Sequence, residues 1–380
     1  MRSYSKMIAA TPYSISQRES IYLDFVRALA AFFVVLDHAP TLFDLPGIPR
    51  WGHQAVIVFF VLSGYVISNV ADTRETNARS FLIARLARLW SVLVPAMALT
   101  VACDVVGRSL GHNPWAYAEA PIDWPLIRVG AIVTFLSESW LSIQPLSNGV
   151  VWSLCAEFWY YILFAAWTFV PPGRARKVAL SIGVLLAGHK ALLLSPIWLM
   201  GVGLQRSAKL RQFGGKIGVV FWGAGFLLVA WVLATHLYDP AIALMRHLVS
   251  PWIMTQLAQA RVFWLDWMLG LAVALHLLGA RSICNRIPLE RIAAPIHWCA
   301  SISFAAYLFH MPLLHFFAAF LPKDAGTLAI GLTFLVIALL GGPVEKSKRW
   351  WRWMLGWIAD RLQSVASGLV LATRPNVGGR

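Results

Sequence analysis

Charge is what this 380-residue chain has least of: 13% of its residues are charged, where soluble domains carry about a quarter. Acidic residues are the scarcer sign, 17 against 32 Lys and Arg, and cysteine occurs only four times. Cys103, Cys155, Cys284 and Cys299 share no metal-ligand spacing, and two of them lie in or beside apolar runs. Neither a disulfide framework nor a zinc site is therefore implied, and no metal is expected. Internal repeats and low-complexity tracts are missing too. These absences exclude an ordinary soluble enzyme, a disulfide-stapled secreted domain and a repeat array.

What is present is apolar sequence, 59% of the chain, gathered into runs near the length of a membrane crossing. The runs fall at about 21–42, 53–71, 89–107, 151–170, 178–194, 196–205, 217–236, 262–279, 302–321 and 326–343. Nineteen Trp, many near run ends, fit the aromatic belts of a bilayer interface. The first run is followed by no small-residue cleavage site and reads as a retained span. The run at 196–205 is short, which predicts a tilted or broken helix.

The net charge of +15 would suggest a nucleic-acid partner in a soluble protein, but its distribution argues for topology instead. With ten crossings and the N-terminus in the cytoplasm, 24 of the 32 Lys/Arg lie on the cytoplasmic side. The outer side keeps Arg50, Arg108, Arg128, Lys190, Arg246, Arg261 and Lys323. A further apolar run at 126–142 contains Arg128 and Glu138. Counting it as a crossing would move the basic loops at 174–177 and 206–216 outside, so it reads as a surface or re-entrant segment on the outer side. The basic stretch from Lys346 to Arg352, with Trp350 and Trp351, suits a membrane surface better than nucleic acid. The expected architecture is an all-α polytopic membrane protein of about ten transmembrane helices with both termini cytoplasmic. Its divisions are a cytoplasmic segment at 1–20, a membrane unit at 21–345 and a basic tail at 346–380.

Ionisable residues inside membrane spans are costly and default to functional candidates. The first span carries Asp24, Arg27, Asp37 and His38. Arg27 and His38 are 11 residues apart, which puts them within roughly 20° of one helix face and about 16 Å apart along its axis. Arg27 alone would equally well pair with Asp24 one turn away. Asp37 does not face the same way as its neighbour His38, so any orienting partner of the imidazole comes from another span. Glu157 sits deep in the run that follows Trp152 and Ser153, and must pair, protonate or line a wet cavity. Arg85 and Arg88 share a helix face beside the third run, suited to phosphates or to topology. Ser63-Gly64 favours close helix packing. Tyr307 and His310 stand at i and i+3, ahead of a helix-bending Pro312.

In order, these residues form the pattern Asp-x-x-Arg-x-x-Ala (Asp24, Arg27, Ala30), His38, Phe-Phe-Val-Leu-Ser-Gly (59–64), and Arg85-x-x-Arg88. Trp-Ser-Leu-x-x-Glu (152–157), Tyr-x-x-His-x-Pro (307–312) and Val-Glu-Lys (344–346) follow. In this the chain resembles the membrane acyltransferase 3 family, bacterial O-acyltransferases of surface glycans and secondary metabolites. Cys155-Ala156 and Phe158-Trp159 depart from the family's usual pairs there. The resemblance implies a multi-pass protein of the cell inner membrane with His38 as catalytic base, Arg27 its companion and Glu157 the facing carboxylate. Arg85, Arg88, Ser63, Trp152, Ser153, Tyr307 and His310 are then donor- or substrate-binding candidates. No bound cofactor is expected; the implied co-substrate is acyl-coenzyme A, acetyl-coenzyme A above all. The implied acceptor is a glycan, lipid-linked sugar or small metabolite, with the lipid bilayer as surroundings. The rival readings are a secondary transporter or flippase and a non-catalytic membrane scaffold.

Overall fold

The computed structural model describes residues 15–372. The N-terminal Arg2 and Lys6 and the last residues of the basic tail lie outside them. Helices account for the architecture, and among the described residues there is no strand. In chain order the helices are α1 (Gln17–His38), α2 (Gly52–Thr73), α3 (Ala78–Leu110), α4 (Pro125–Val133), α5 (Trp152–Phe169), α6 (Arg174–Arg206) and α7 (Gly215–Ala234). They continue as α8 (Tyr238–Leu248), α9 (Pro251–Leu257), α10 (Phe263–Cys284), α11 (Ala293–Phe320), α12 (Gly326–Lys346) and α13 (Lys348–Ala372).

Eight helices of the described residues are long and apolar enough to cross a membrane. α1 carries too many charges to be among them, yet it packs on α2 and α11 like any other wall of the bundle. α6 is not one straight rod. At Gly188 the backbone takes φ 76°, ψ 170°, outside any helical conformation, and a Cβ there would collide with the carbonyl of Ser139. Before this point Gly183 lies against Leu163 of α5; after it Gly201 lies against Val61 and Tyr65 of α2, and Arg206 pairs with Asp72 at 2.7 Å. The chain therefore turns back at Gly188, and the two legs of α6 are antiparallel. With α1 and both legs the bundle has ten legs. The apolar runs place the break in this pair near residue 195; the turn is at Gly188, where only glycine is unstrained.

The helix starts and ends gathered on one face include Arg18, Arg79, Arg174, Arg206 and Arg281, so the basic loops share it as the charge pattern requires. We call it the basic face and the opposite one the far face. The helix reaches well ahead of the third apolar run: α3 starts at Ala78 and carries Arg85 and Arg88 itself. The 126–142 segment enters from the far face as α4 and reaches Trp90, whose indole donates to the Val133 carbonyl at 3.0 Å. It returns past Phe135, which accepts from Trp159 at 2.9 Å and stacks on Phe158. It is a re-entrant hairpin. At its far-face end Lys190 donates to Glu138 at 2.6 Å and to Ser142 at 2.7 Å. Burial pushes the Glu138 carboxyl up from its ordinary range, against the pull of Lys190.

Prolines inside spans free a carbonyl one turn back, and in hydrocarbon that oxygen needs a donor. Two of these oxygens find one. Asn148 donates to Leu308, one turn before Pro312, at 2.9 Å. Ser195 donates to Leu192, one turn before Pro196, at 2.7 Å. α11 accordingly runs unbroken through Pro312, keeping Tyr307 and His310 on one continuous helix.

Candidate active site

Two hollows open in series from the basic face. The outer vestibule is lined by Asp24, Arg27, Arg88, His297, Glu345, Lys346 and Lys348. The inner cavity shares Arg27, Arg88 and Phe304 with it and continues to Ser63, Glu157, Tyr161, Ser153 and Tyr307. Cations hold the mouth and apolar or hydroxyl side chains the interior.

Arg27 pairs with Asp24 at 3.3 Å, as its one-turn spacing allows, and Asp24 also meets His297 at 2.9 Å. Among the described residues no carboxylate lies within 4 Å of the Arg88 guanidinium, which faces both hollows. Arg85 does not join it. Its guanidinium lies over the Phe81 ring at 5.7 Å, and it lines neither hollow. The i and i+3 spacing expected a shared face; one residue of the pair faces the cavity and the other the α5 side.

Deeper in, Glu157 accepts from Ser63 at 2.5 Å and from Tyr161, and the Trp198 indole donates to Ser63 at 3.2 Å. Ser63 therefore has a polar role, while Gly64 supplies the close packing expected of the pair: a Cβ there would overlap the Trp198 carbonyl. The cavity ends at Tyr307 and Ser153. Tyr307 donates its one hydroxyl proton to the Val150 carbonyl at 2.8 Å, so Ser153, 2.7 Å away, is the donor to Tyr307. Both protons of this partition are committed. Trp152 lies outside the cavity, stacked on His53 with ring planes 17° apart.

His38 and His310 lie beyond the partition. His310 shares a helix with Tyr307, ring centroids 6.4 Å apart, and its Nε2 is 3.2 Å from Nδ1 of His38. Each imidazole has its Nδ1 on the carbonyl one turn back: His38 on Val34 at 2.8 Å, His310 on Ala306 at 2.9 Å. A carbonyl only accepts, so both Nδ1 atoms carry the proton. The His310 Nε2 is then a lone pair able to share the His38 Nδ1 proton, and the His38 Nε2 is left basic. Asp37 turns to Arg50 at 3.5 Å and stays 3.9 Å from His38. The shorter Nδ1 contact of His38 is thus to Val34 of its own helix, and the contact from another span is to a histidine.

The structure thus brings Arg27, Arg88, Ser63, Glu157, Ser153 and Tyr307 to one cavity, sets His38 and His310 just beyond it, and leaves Arg85 and Trp152 aside. Sequence reasoning missed a second far-face cluster: His53 Nε2 donates to Asp266 at 2.8 Å, and Tyr238 donates to the same oxygen at 2.8 Å. The signal was available, since Asp266 is the one acid in the run 262–279.

A family model described as an acyltransferase domain (Acyl_transf_3) matches residues 20–344. An O-acetyl transferase of Shigella phage Sf6 is 27% identical over 205 residues, covering 46% of this chain and 56% of the phage protein. Protein 2 in the picA locus of Rhizobium radiobacter is 37% identical over 86 residues, 22% of this chain and 44% of that protein. The chain spans about half the length of these curated relatives. No solved structure matches.

Proposed function

Since the chain belongs to the Acyl_transf_3 acyltransferase family and is an all-α, multi-pass membrane protein, we propose that it moves an acyl group, acetyl above all, from cytosolic acyl-coenzyme A to a hydroxyl of a glycan or related acceptor. The observation that carries this is the serial arrangement: a cationic mouth, a cavity behind it, and, beyond the Tyr307–Ser153 partition, a histidine with a free basic nitrogen.

On this reading the basic face is the cytoplasmic face of the cell inner membrane. Arg88, with no carboxylate of the described residues within 4 Å, and Arg27 hold the donor's phosphates, for which guanidinium is suited. The donor's arm then extends past Ser63 and Glu157. Arg27 and His38 are about 16 Å apart along α1, so no group at Arg27 reaches the reacting carbonyl. Arg27 binds donor; His38 does chemistry.

The acyl-bearing end passes the Tyr307–Ser153 partition to reach His38. There Nε2 of His38 takes the acceptor hydroxyl proton as that oxygen attacks the thioester carbonyl. The tetrahedral intermediate collapses with loss of the C–S bond, and the proton passes from His38 to the leaving thiolate. While His38 carries the extra proton, His310 accepts from its Nδ1–H and stabilises the charge. Glu157 touches no reacting atom; it is a positioning residue that holds Ser63 and Tyr161 and balances two guanidiniums in one cavity.

The test is transfer of radiolabelled acetyl from acetyl-coenzyme A to surface glycan in membranes, with mass spectrometry of the glycan for a gain of one acyl group. His38→Ala and Arg27→Ala should each abolish the gain while the protein still inserts at normal levels. Near-wild-type transfer by His38→Ala would sink the base assignment. Donor-independent uptake of an acceptor by vesicles would favour a transporter instead.

A further inference from the structure

α13 has two dissimilar sides. One is held on the first turns of α3: Trp351 meets Trp90 with ring centroids 5.6 Å apart, Arg79 pairs with Asp360 at 2.5 Å, and Arg352 lies 3.7 Å from Glu75. The other leaves Trp350, Trp353 and Trp357 more than half exposed. At 100° per residue the three tryptophans fall within an arc of roughly 60°. Arg349 borders that stripe, and the Arg361 guanidinium lies over the Trp357 ring at 5.4 Å.

We propose that this side of α13 is a membrane-surface helix that binds the anionic phospholipid headgroups of the leaflet on the basic face. Two features select a bilayer over a protein partner. The stripe continues the lipid-facing surface of α12, where Leu335 and Leu339 are exposed, with only Ser347 between the two helices. It also combines rings suited to the headgroup level with arginines whose stems lie along apolar surface while their heads meet phosphate. The arginines make headgroup charge part of the recognition. Seating α13 in this way fixes its first residue, Lys348, and its neighbour Lys346 at the vestibule mouth. That last step rests on the proposed function, because its consequence is read in donor binding.

The test uses the full chain with Cys299→Ser and a nitroxide on Trp353→Cys, in nanodiscs of phosphatidylcholine with or without phosphatidylglycerol. With phosphatidylglycerol the label should be open to oxygen and shielded from a nickel chelate. In phosphatidylcholine alone, and in the Arg349→Gln/Arg361→Gln variant, it should become accessible to the chelate. A label at Trp350→Cys repeats the measurement from a second position on the stripe. Chelate access in both lipids would overturn the proposal, as would shielding from both reagents, which indicates a protein partner or second copy. Shielding that ignores both lipid charge and the arginine changes would overturn headgroup recognition. These readings need no acyl transfer and stand if the enzymatic reading fails. Given transfer activity, KM for acetyl-coenzyme A should rise several-fold in phosphatidylcholine discs with kcat little changed; an unchanged KM would disconnect the helix from the vestibule.

Discussion

His38 and His53, on adjacent walls at the far side of the bundle, differ in what receives their proton. α1 and α2 meet so closely that a Cβ on Gly52 would strike the Asp37 carboxylate, which puts His38 and His53 at neighbouring helix ends. His53 gives its Nε2 proton to Asp266, a fully buried carboxylate in the first turn of α10, where the helix N-terminus favours negative charge. His38 gives its Nδ1 proton to a backbone carbonyl and shares it with a neutral imidazole. The carboxylate–histidine pair looks more like a catalytic dyad, yet its chemistry is the more fixed of the two. The His53 donor proton is fixed on a buried carboxylate, whereas His38 shares its Nδ1 proton between a carbonyl and an imidazole, with the Asp37 carboxylate 3.9 Å away. A histidine that joins helices wants a constant partner; one that handles protons wants a forgiving one.

The sharpest way to break this comparison is to remove each imidazole in turn. His38→Ala should lower kcat for acyl transfer by about 10²–10⁴-fold, the usual worth of a positioned base, while His53→Ala keeps most of it in the protein that remains folded. Equal losses of kcat would erase the distinction. One step smaller, His310→Ala should cost about tenfold to a hundredfold in kcat, because His38 keeps its bond to Val34 but loses the acceptor that steadies its charged form. His310→Gln, whose amide oxygen still accepts, should recover part of that loss. A variant series in which Gln is no better than Ala would mean that His310 only fills space.

The donor half gives a third contrast. Arg88→Ala should raise KM for acetyl-coenzyme A about tenfold with kcat nearly unchanged, the loss expected for one charge-assisted contact to phosphate. Arg85→Ala should leave KM within about twofold of wild type, since exposed or off-path charges contribute little. Reversed effects would show that the cavity used by the donor is not the one between Arg27 and Tyr307.

Much of this was legible in the chain itself. Charge distribution alone separated the re-entrant 126–142 segment from the true crossings, because topology is a whole-chain constraint that each loop reports. The Arg27–His38 spacing gave the axial order of the site for the same reason: one helix carries both. The sequence could not locate the reversal in α6, since a glycine at positive φ reads like any other until Ser139 is packed against it. It could not separate Arg85 from Arg88 either, because a shared face three residues wide is split by where the neighbouring helix happens to cross. The His53–Asp266 pair escaped because its members lie 213 residues apart, and partners drawn from different spans leave no local spacing to read.

That pair supplies the smallest expected effect on catalysis and the largest on stability. Asp266→Ala leaves two donors, His53 Nε2–H and the Tyr238 hydroxyl, without their acceptor in a buried joint between α2, α8 and α10. Leaving a buried donor without its acceptor costs about 1–3 kcal/mol, partly relieved here because His53 reaches the surface. Thermal unfolding in detergent, followed by reaction of the buried Cys103, Cys155 and Cys284 with a thiol dye, should show a clear drop in midpoint. The kcat of the folded fraction should stay within about twofold of wild type, since structural losses away from the reacting atoms leave transition-state contacts in place. His53→Ala should be milder than Asp266→Ala, because it removes one donor but leaves Tyr238 bound to the carboxylate. Were Asp266→Ala to unfold no earlier than wild type while losing kcat, the carboxylate would be serving the reaction, and the fixed histidine would have to be counted with the forgiving one.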